Sequence, residues 1–281
     1  VVATPLGNLR DVTLRALDIL RSVDVIGAED TRVSSVLLRH FGVETRPVSV
    51  REHNEARRAD DVVAWLAAGK SVALVTDAGT PAVSDPGALI VDSVRSAGFP
   101  VVPLPGPSAA LAALSAAGSI GEPWVFLGFP PAGAAARRTL FDTWAPLPCA
   151  LVCYEAPHRV RATVADLLAA CGGEREIVVA RELTKRFETI ARMPLATADG
   201  WFAADANRAR GEFVLIVSRG SQQPATAGSA EQRALVAELV KELSPARAAR
   251  VAAAITGAPR DALYALAVGL RADTDTAAGG G

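Results

Sequence analysis

The stretch Val72 to Gly87, reading VALVTDAGTPAVSDPG, constrains the fold more than any other. It opens as an apolar, β-branched run, Val72 to Thr76, that reads as a buried strand and then breaks into Asp77-Ala78-Gly79-Thr80-Pro81, the composition of a tight turn. Gly79 can take positive φ and admit a second backbone or a ligand. Asp85-Pro86 reads as a helix start, with Asp85 as N-cap and Pro86 in the first turn. The helix runs on from Ala88 and stops at Gly98. Strand, glycine-bearing turn and helix N-terminus together are the usual setting for a ligand at the carboxyl edge of an α/β sheet.

The same alternation recurs on both sides. Val1 to Ala3 reads as a strand, so the natural chain is expected to begin earlier, and Thr4-Pro5-Leu6-Gly7 follows as a turn. Asp24 to Ala28 is a strand ending in Glu29-Asp30-Thr31-Arg32, with Asp30 placed to cap the next helix and Glu29 or Arg32 placed to meet a ligand. Arg46 to Val50 leads into Glu52-His53-Asn54-Glu55, and Val101 to Leu104 into Pro105-Gly106-Pro107-Ser108, with Ser108 capping a small-residue helix from Ala109 to Ala117. Strand-helix repetition predicts a mostly parallel sheet for residues 1–117. After a linker at Gly118 to Pro123, a second α/β unit is expected over 118–220, including a ribbon in which Phe187 to Arg192 pairs back on Ile177 to Ala180. A small helical subdomain over 229–271 and a disordered tail over 272–281 complete the expected organisation.

What is missing narrows the chemistry. There is no GxxxxGK[ST] loop, no GxGxxG after the first strand, no HExxH and no GxSxG. The three cysteines, Cys149, Cys153 and Cys171, have no histidines at ligand spacing, so no metal site is expected. A formal net charge of −1 leaves any nucleic-acid contact to local patches. No leader pattern and no membrane-length apolar run is evident, and a cytoplasmic enzyme is expected. Proline- and glycine-rich loops at strand ends, with polar clusters beside them, suit a nucleoside-like ligand held by backbone groups and an apolar slot.

Eight stretches, in order, carry a resemblance: VATPLGNLRDVTLRAL from Val2, EDTR from Glu29, EHNE from Glu52, TDAGTPAVSDPG from Thr76, PLPGPSA from Pro103, YEAPHR from Tyr154, VARELTK from Val179 and GEFVLIV from Gly211. The chain resembles the bacterial small-subunit (16S) ribosomal RNA cytidine 2′-O-methyltransferases of the tetrapyrrole methylase superfamily. The resemblance implies a two-domain α/β fold with a helical appendage, and S-adenosylmethionine bound in a cleft between the lobes. It also implies a homodimer and, as substrate, ribosomal RNA or the small subunit. By position in the pattern, Leu6, Asp77, Gly79, Thr80, Ser108, Ala109 and Tyr154 would line the cofactor cleft. The family's loop after its fifth main strand carries lysines; here it reads FPPAGAAARR, leaving Arg137 and Arg138 as its positive charges. A methylase of the same fold acting on a tetrapyrrole or another small molecule is the alternative, and the joint presence of EHNE and YEAPHR argues against it.

An activated methyl donor asks the protein to position a ribose hydroxyl and provide for its proton. Glu155 and Lys185 are the favoured residues for that task, with Glu182, Asp30 and His53 as further candidates. Arg32, Asn54, His158, Arg159 and Arg181 are expected to orient the nucleotide or its phosphates.

Overall fold

The structure, a computed structural model, describes residues 1–51, 54–120, 122–220 and 230–278, of which 230–231 and 272–278 are described by backbone alone. Residues 1–220 form one compact unit and 221–281 a second.

In the first unit, β1 (Val25–Ala28), β2 (Pro47–Ser49) and β3 (Val72–Val75) form a parallel sheet in the order β2-β1-β3. α1 (Leu14–Ser22) precedes β1, α2 (Thr31–His40) and α3 (Glu55–Ala67) lie between the strands, and α4 (Ala88–Ser96) follows β3. Asp30 caps α2 as its position before the helix suggests, and Thr13 caps α1. The segments expected as strands at Val1–Ala3 and Val101–Leu104 make only single bridges: Val2 pairs with Leu104, and the Val2 N–H donates to Leu74 O at 2.8 Å. Prolines explain the shortfall. Pro5 ends one segment, and Pro100, Pro103 and Pro105 remove donors that a continuous ladder would need.

The second sheet is mixed, with β4 (Trp124–Phe126), β5 (Ala150–Glu155), β6 (Glu176–Arg181), β7 (Thr189–Pro194) and β8 (Phe213–Val217) in the order β4-β5-β8-β6-β7. Only the β4–β5 pair is parallel. The expected ribbon is present as β6–β7. One face packs on α6 (Ala134–Trp144), α7 (Val160–Cys171) and α8 (Ala198–Ala203) around Phe141, Leu151, Leu167, Phe202 and Leu215. The other face takes α5 (Ala109–Ala117), whose Ala110, Ala113 and Ala117 sit against Val152, Val178, Val214 and Ile216. A helix faced with alanine brings its backbone close to the sheet. The loop that precedes it leads from Leu104, bridged to Val2 in the first lobe, to this face of the second sheet.

The second unit is a three-helix cluster, α9 (Ala230–Glu242), α10 (Pro245–Thr256) and α11 (Arg260–Ala278), around Val236, Val240, Ala249, Ala252 and Leu263. α11 extends through Ala278, and residues 279–281 of the tail expected to be disordered lie outside the described residues.

Candidate active site

Three loops at the carboxyl edge of the first sheet are stitched together by backbone. Thr4 and Gly79 exchange two hydrogen bonds, 2.8 and 2.9 Å, and Thr4 Oγ1 donates to Thr76 O at 3.0 Å. Gly79 holds φ +84°, which a side-chain-bearing residue adopts only with strain. Thr80 Oγ1 donates to Pro107 O at 3.0 Å, tying the central loop to the turn before α5. Across the gap stands Tyr154 at the end of β5. Its hydroxyl accepts from the Ala110 N–H at 3.2 Å, and its ring meets Phe126 and Phe129 edge-on at 4.8 and 5.4 Å. Between these walls lies a cleft of about 420 Å³. Leu6, Asp77, Gly79, Thr80, Ser108, Ala109 and Tyr154, each expected at the cofactor, all line it.

The cleft has one acidic wall. Glu29, Asp77 and Asp85 line it together. Thr76 Oγ1 donates to Glu29 Oε2 at 2.7 Å, and the Asp30 N–H donates to Asp77 Oδ1 at 2.9 Å. Burial, then the charge of Glu29, raises the Asp85 carboxyl to about 6; burial also raises Asp77, with Glu29 and Asp30 adding to it. Asp85 is not the helix cap its sequence position suggests. The N-cap of α4 is Gly87, and the capping oxygen comes from Glu55, whose Oε1 accepts from the Gly87 and Leu89 N–H groups at 2.8 and 2.9 Å. That leaves the Asp85 carboxyl facing the cleft.

The other expected residues divide by what already occupies them. Glu155 also lines the cleft, yet its side chain is fully buried. It accepts from Thr163 Oγ1 at 2.5 Å and the Ala156 N–H at 2.8 Å, and it pairs with Arg159 at 3.0 Å. With both oxygens engaged, it braces β5 on α7. Arg159 also donates to Pro130 O, and Arg181 donates to Arg210 O and Phe187 O, so both guanidiniums take part in holding neighbouring loops. Asp30 is clamped by Arg32, whose guanidinium holds its carboxyl far below the usual carboxylate range.

Lys185 sits at the rim. Its Nζ donates to Glu182 Oε1 at 3.0 Å and to Glu212 Oε2 at 2.7 Å, and Glu212 lines the cleft. Burial works to lower its pKa, but Glu212 and Glu182 outweigh that and raise it, keeping the ammonium charged. Glu182 is correspondingly lowered against its own burial, by the Glu212 N–H and by Lys185. A Cβ on Gly7 would lie 2.3 Å from Lys185 Cγ, so the first loop carries glycine where the lysine stem crosses it. Asn54 accepts from the Arg51 N–H at 2.8 Å and serves its own turn, Arg32 and His158 are exposed, and His53 lies outside the described residues.

Glu212, Phe213 and Phe129 line the cleft without having been singled out in the sequence. β8 runs antiparallel to β5, pairing Glu155 with Phe213, so the start of β8 meets the end of β5. Strand direction is the information that was missing.

Comparison with known proteins agrees with this geometry. The family described as "Tetrapyrrole (Corrin/Porphyrin) Methylases" matches residues 1–199. The chain belongs to this family. A second match, "RsmI C-terminal HTH domain", covers residues 226–271. The chain is 46% identical over 268 residues to the "Ribosomal RNA small subunit methyltransferase I" of Neisseria meningitidis serogroup A, covering 95% of this chain and 92% of that one. It is 48% identical over 264 residues to the protein of the same name in Xylella fastidiosa Temecula1, covering 94% and 96%. Among solved structures, that of the methyltransferase CobJ aligns with TM-score 0.57 at 21% identity, over 79% of this chain and 95% of that one, which shows the shared fold.

As a tetrapyrrole methylase the chain is a methyltransferase dependent on S-adenosylmethionine. The cleft fits that cofactor. Leu6, Val83, Phe129 and Leu183 offer an apolar slot, and Glu29, Asp77 and Asp85 offer negative charge to a ligand with a sulfonium and an ammonium.

Proposed function

We propose that this methylase modifies small-subunit ribosomal RNA at the 2′-oxygen of a cytidine ribose. The observation that carries the reading is relatedness along the whole chain: the rRNA methyltransferases named above match 94–95% of it, the C-terminal helical unit included. S-adenosylmethionine, when bound, supplies an electrophilic methyl group. The chain's residues then have three tasks. Leu6, Thr80, Ser108, Ala109 and Tyr154, with the Gly79 backbone, hold the nucleoside, and Asp77 and its acidic neighbours balance the positive charge. Lys185, held charged by Glu182 and Glu212, stabilises the ribose oxygen as its proton passes to water at the open side of the cleft. Arg32, Asn54 and His158 meet the nucleotide from the exposed side, where water does not have to be expelled from a closed pocket.

No helix of the described residues is long and apolar enough to cross a membrane, and a cytoplasmic homodimer belongs to the same proposal. Exposed Leu111, Phe187 and Ile190 leave apolar surface for a second copy, and light scattering of the purified protein tests it. The activity is tested with tritiated cofactor offered to small subunits from a strain lacking the enzyme, and to a free tetrapyrrole. Label in 16S RNA at an alkali-resistant linkage is expected; label in the tetrapyrrole alone overturns the proposal.

A further inference from the structure

The two arginines of the FPPAGAAARR loop share one carboxylate of the protein itself. Arg137 is buried and paired with Asp166 at 2.6 Å, and Arg138 pairs with the same carboxylate at 2.8 Å. With one carboxylate facing two guanidiniums, and one of those inside the protein, this cluster is a clamp between α6 and α7. The chain's net charge of −1 means that a polyanion needs a local patch elsewhere.

Such a patch lies on the first lobe. A groove of about 540 Å³ between α2 and β2 is lined by Arg32, Arg39 and Arg46, with hydroxyls from Thr31, Ser35 and Thr45 and a single acid, Glu44. All three arginines are exposed. Arg32 is balanced by Asp30, but among the described residues neither Arg39 nor Arg46 forms an ion pair; Arg39 Nε donates to Ser35 O at 3.1 Å and leaves its Nη groups to the groove. Arg32 and Arg39 are seven residues apart on α2, two turns of one face, or about 10 Å. The groove starts where the cleft ends. Asp30, the cap of α2, gives its N–H to Asp77 of the cleft, and Arg51 reaches to within 3.6 Å of Asp30. A line of guanidiniums and hydroxyls thus leads outward from the candidate active site.

We propose that the α2–β2 groove is the track for the phosphate backbone of the RNA substrate, with Arg39 and Arg46 as its phosphate-contacting residues. The inference rests on the ribosomal RNA reading above. Guanidiniums match phosphate oxygens in pairs, and backbone contacts of this kind set register and affinity without reading sequence.

The test compares wild type, R39Q/R46Q and a control, R57Q/R95Q, which removes the same charge from exposed positions on α3 and α4. Each is titrated at several salt concentrations with a 16S RNA fragment that wild type methylates. The slope of log K against log salt is expected to shrink by about 1.4–1.8 in R39Q/R46Q, at about 0.7–0.9 per lost phosphate contact. KM for RNA should rise, kcat and S-adenosylmethionine affinity should stay at wild-type values, and the control should keep the wild-type slope. An unchanged slope in R39Q/R46Q, or an equal loss in the control, overturns the groove. A wild-type enzyme that methylates no RNA overturns instead the reading on which the groove rests.

Discussion

Glu55 and Gly87 are joined across 32 positions of chain by a hydrogen bond of 2.8 Å from the glycine N–H to the buried carboxylate. The same oxygen takes the Leu89 N–H at 2.9 Å, so the first residue of α3 caps the start of α4. The loop between Asp77 and Gly87 needs such an anchor. Ala82 and Ser84 both hold φ +65°, a conformation that side chains disfavour, and Gly87 holds +134°.

The first prediction follows from that anchor. E55A leaves one buried and one part-buried N–H group without an acceptor and should destabilise the protein by about 2 kcal/mol, read from urea unfolding. Because the freed loop also forms the acidic wall, calorimetry should show weaker S-adenosylmethionine binding at a temperature where the variant is fully folded. E55Q keeps an acceptor oxygen and should recover most of both losses. Wild-type cofactor affinity in folded E55A would detach the anchor from the site.

Asp85 supplies the pH dependence. Its carboxyl is raised to about 6, first by burial and then by Glu29, while Glu29, Asp77 and Tyr154 are the titratable groups that face it. For a raised acid the neutral form is the favoured one in the folded state. Its contribution to stability is intact below the ordinary aspartate range near ~3.9 and fades as pH rises through about 6. D85N should therefore raise Tm at pH 7.5 and leave it unchanged at pH 4. Cofactor binding runs the other way. The sulfonium favours ionised Asp85, so affinity for S-adenosylmethionine should improve as pH rises through 6, while the uncharged sulfide product responds less. D85N should cost about tenfold, or ~1.4 kcal/mol, in cofactor affinity at pH 7.5 and little in product affinity. Equal effects on cofactor and product would remove Asp85 from charge recognition.

Lys185 and Gly7 make a linked pair of tests. K185M removes the ammonium held between Glu182 and Glu212 and is expected to lower kcat by about 10²–10³-fold, the range for deleting one donor to a developing oxyanion. Cofactor affinity should stay within the wild-type range. G7A places a methyl 2.3 Å from Lys185 Cγ, near the root of the side chain where it cannot swing clear. It should reproduce the K185M loss in kcat in part, without removing any charge. A G7A enzyme with full kcat would show that the position of Lys185 is immaterial.

Local signals were legible in the sequence and long-range pairings were not. Asp30 announces its helix because an N-cap acts within three residues of itself. The proline-glycine loops could be placed at strand ends because Gly79 and its neighbours have turn chemistry wherever they occur. Asp85 misled because a cap can be supplied from another helix, and nothing near Asp85 announces Glu55. Glu155, Arg159 and Arg181 look like active-site polar residues in one dimension, yet Thr163, Pro130 and Arg210 absorb them in three. Polar residues that hold a site together and polar residues that work in it have the same composition. Only their partners distinguish them.

The clamp on Asp166 turns that distinction into a measurement. Arg137 and Asp166 are both almost fully buried and 2.6 Å apart, whereas the Arg138 side chain is 65% exposed on the same carboxylate. Burial works to raise Asp166, and the two guanidiniums hold it below its ordinary value. Removing Arg137 strands a buried carboxylate with one solvated partner, so R137A should lose about 3–5 kcal/mol in urea unfolding. R138A, which breaks an exposed pair, should lose no more than about 1 kcal/mol. If the pair instead touched RNA, R138A would be the damaging change: it would lower the salt dependence of RNA binding while R137A left it alone. The geometry requires the opposite order, a stability loss concentrated at Arg137 and an RNA salt slope that R138A leaves at the wild-type value.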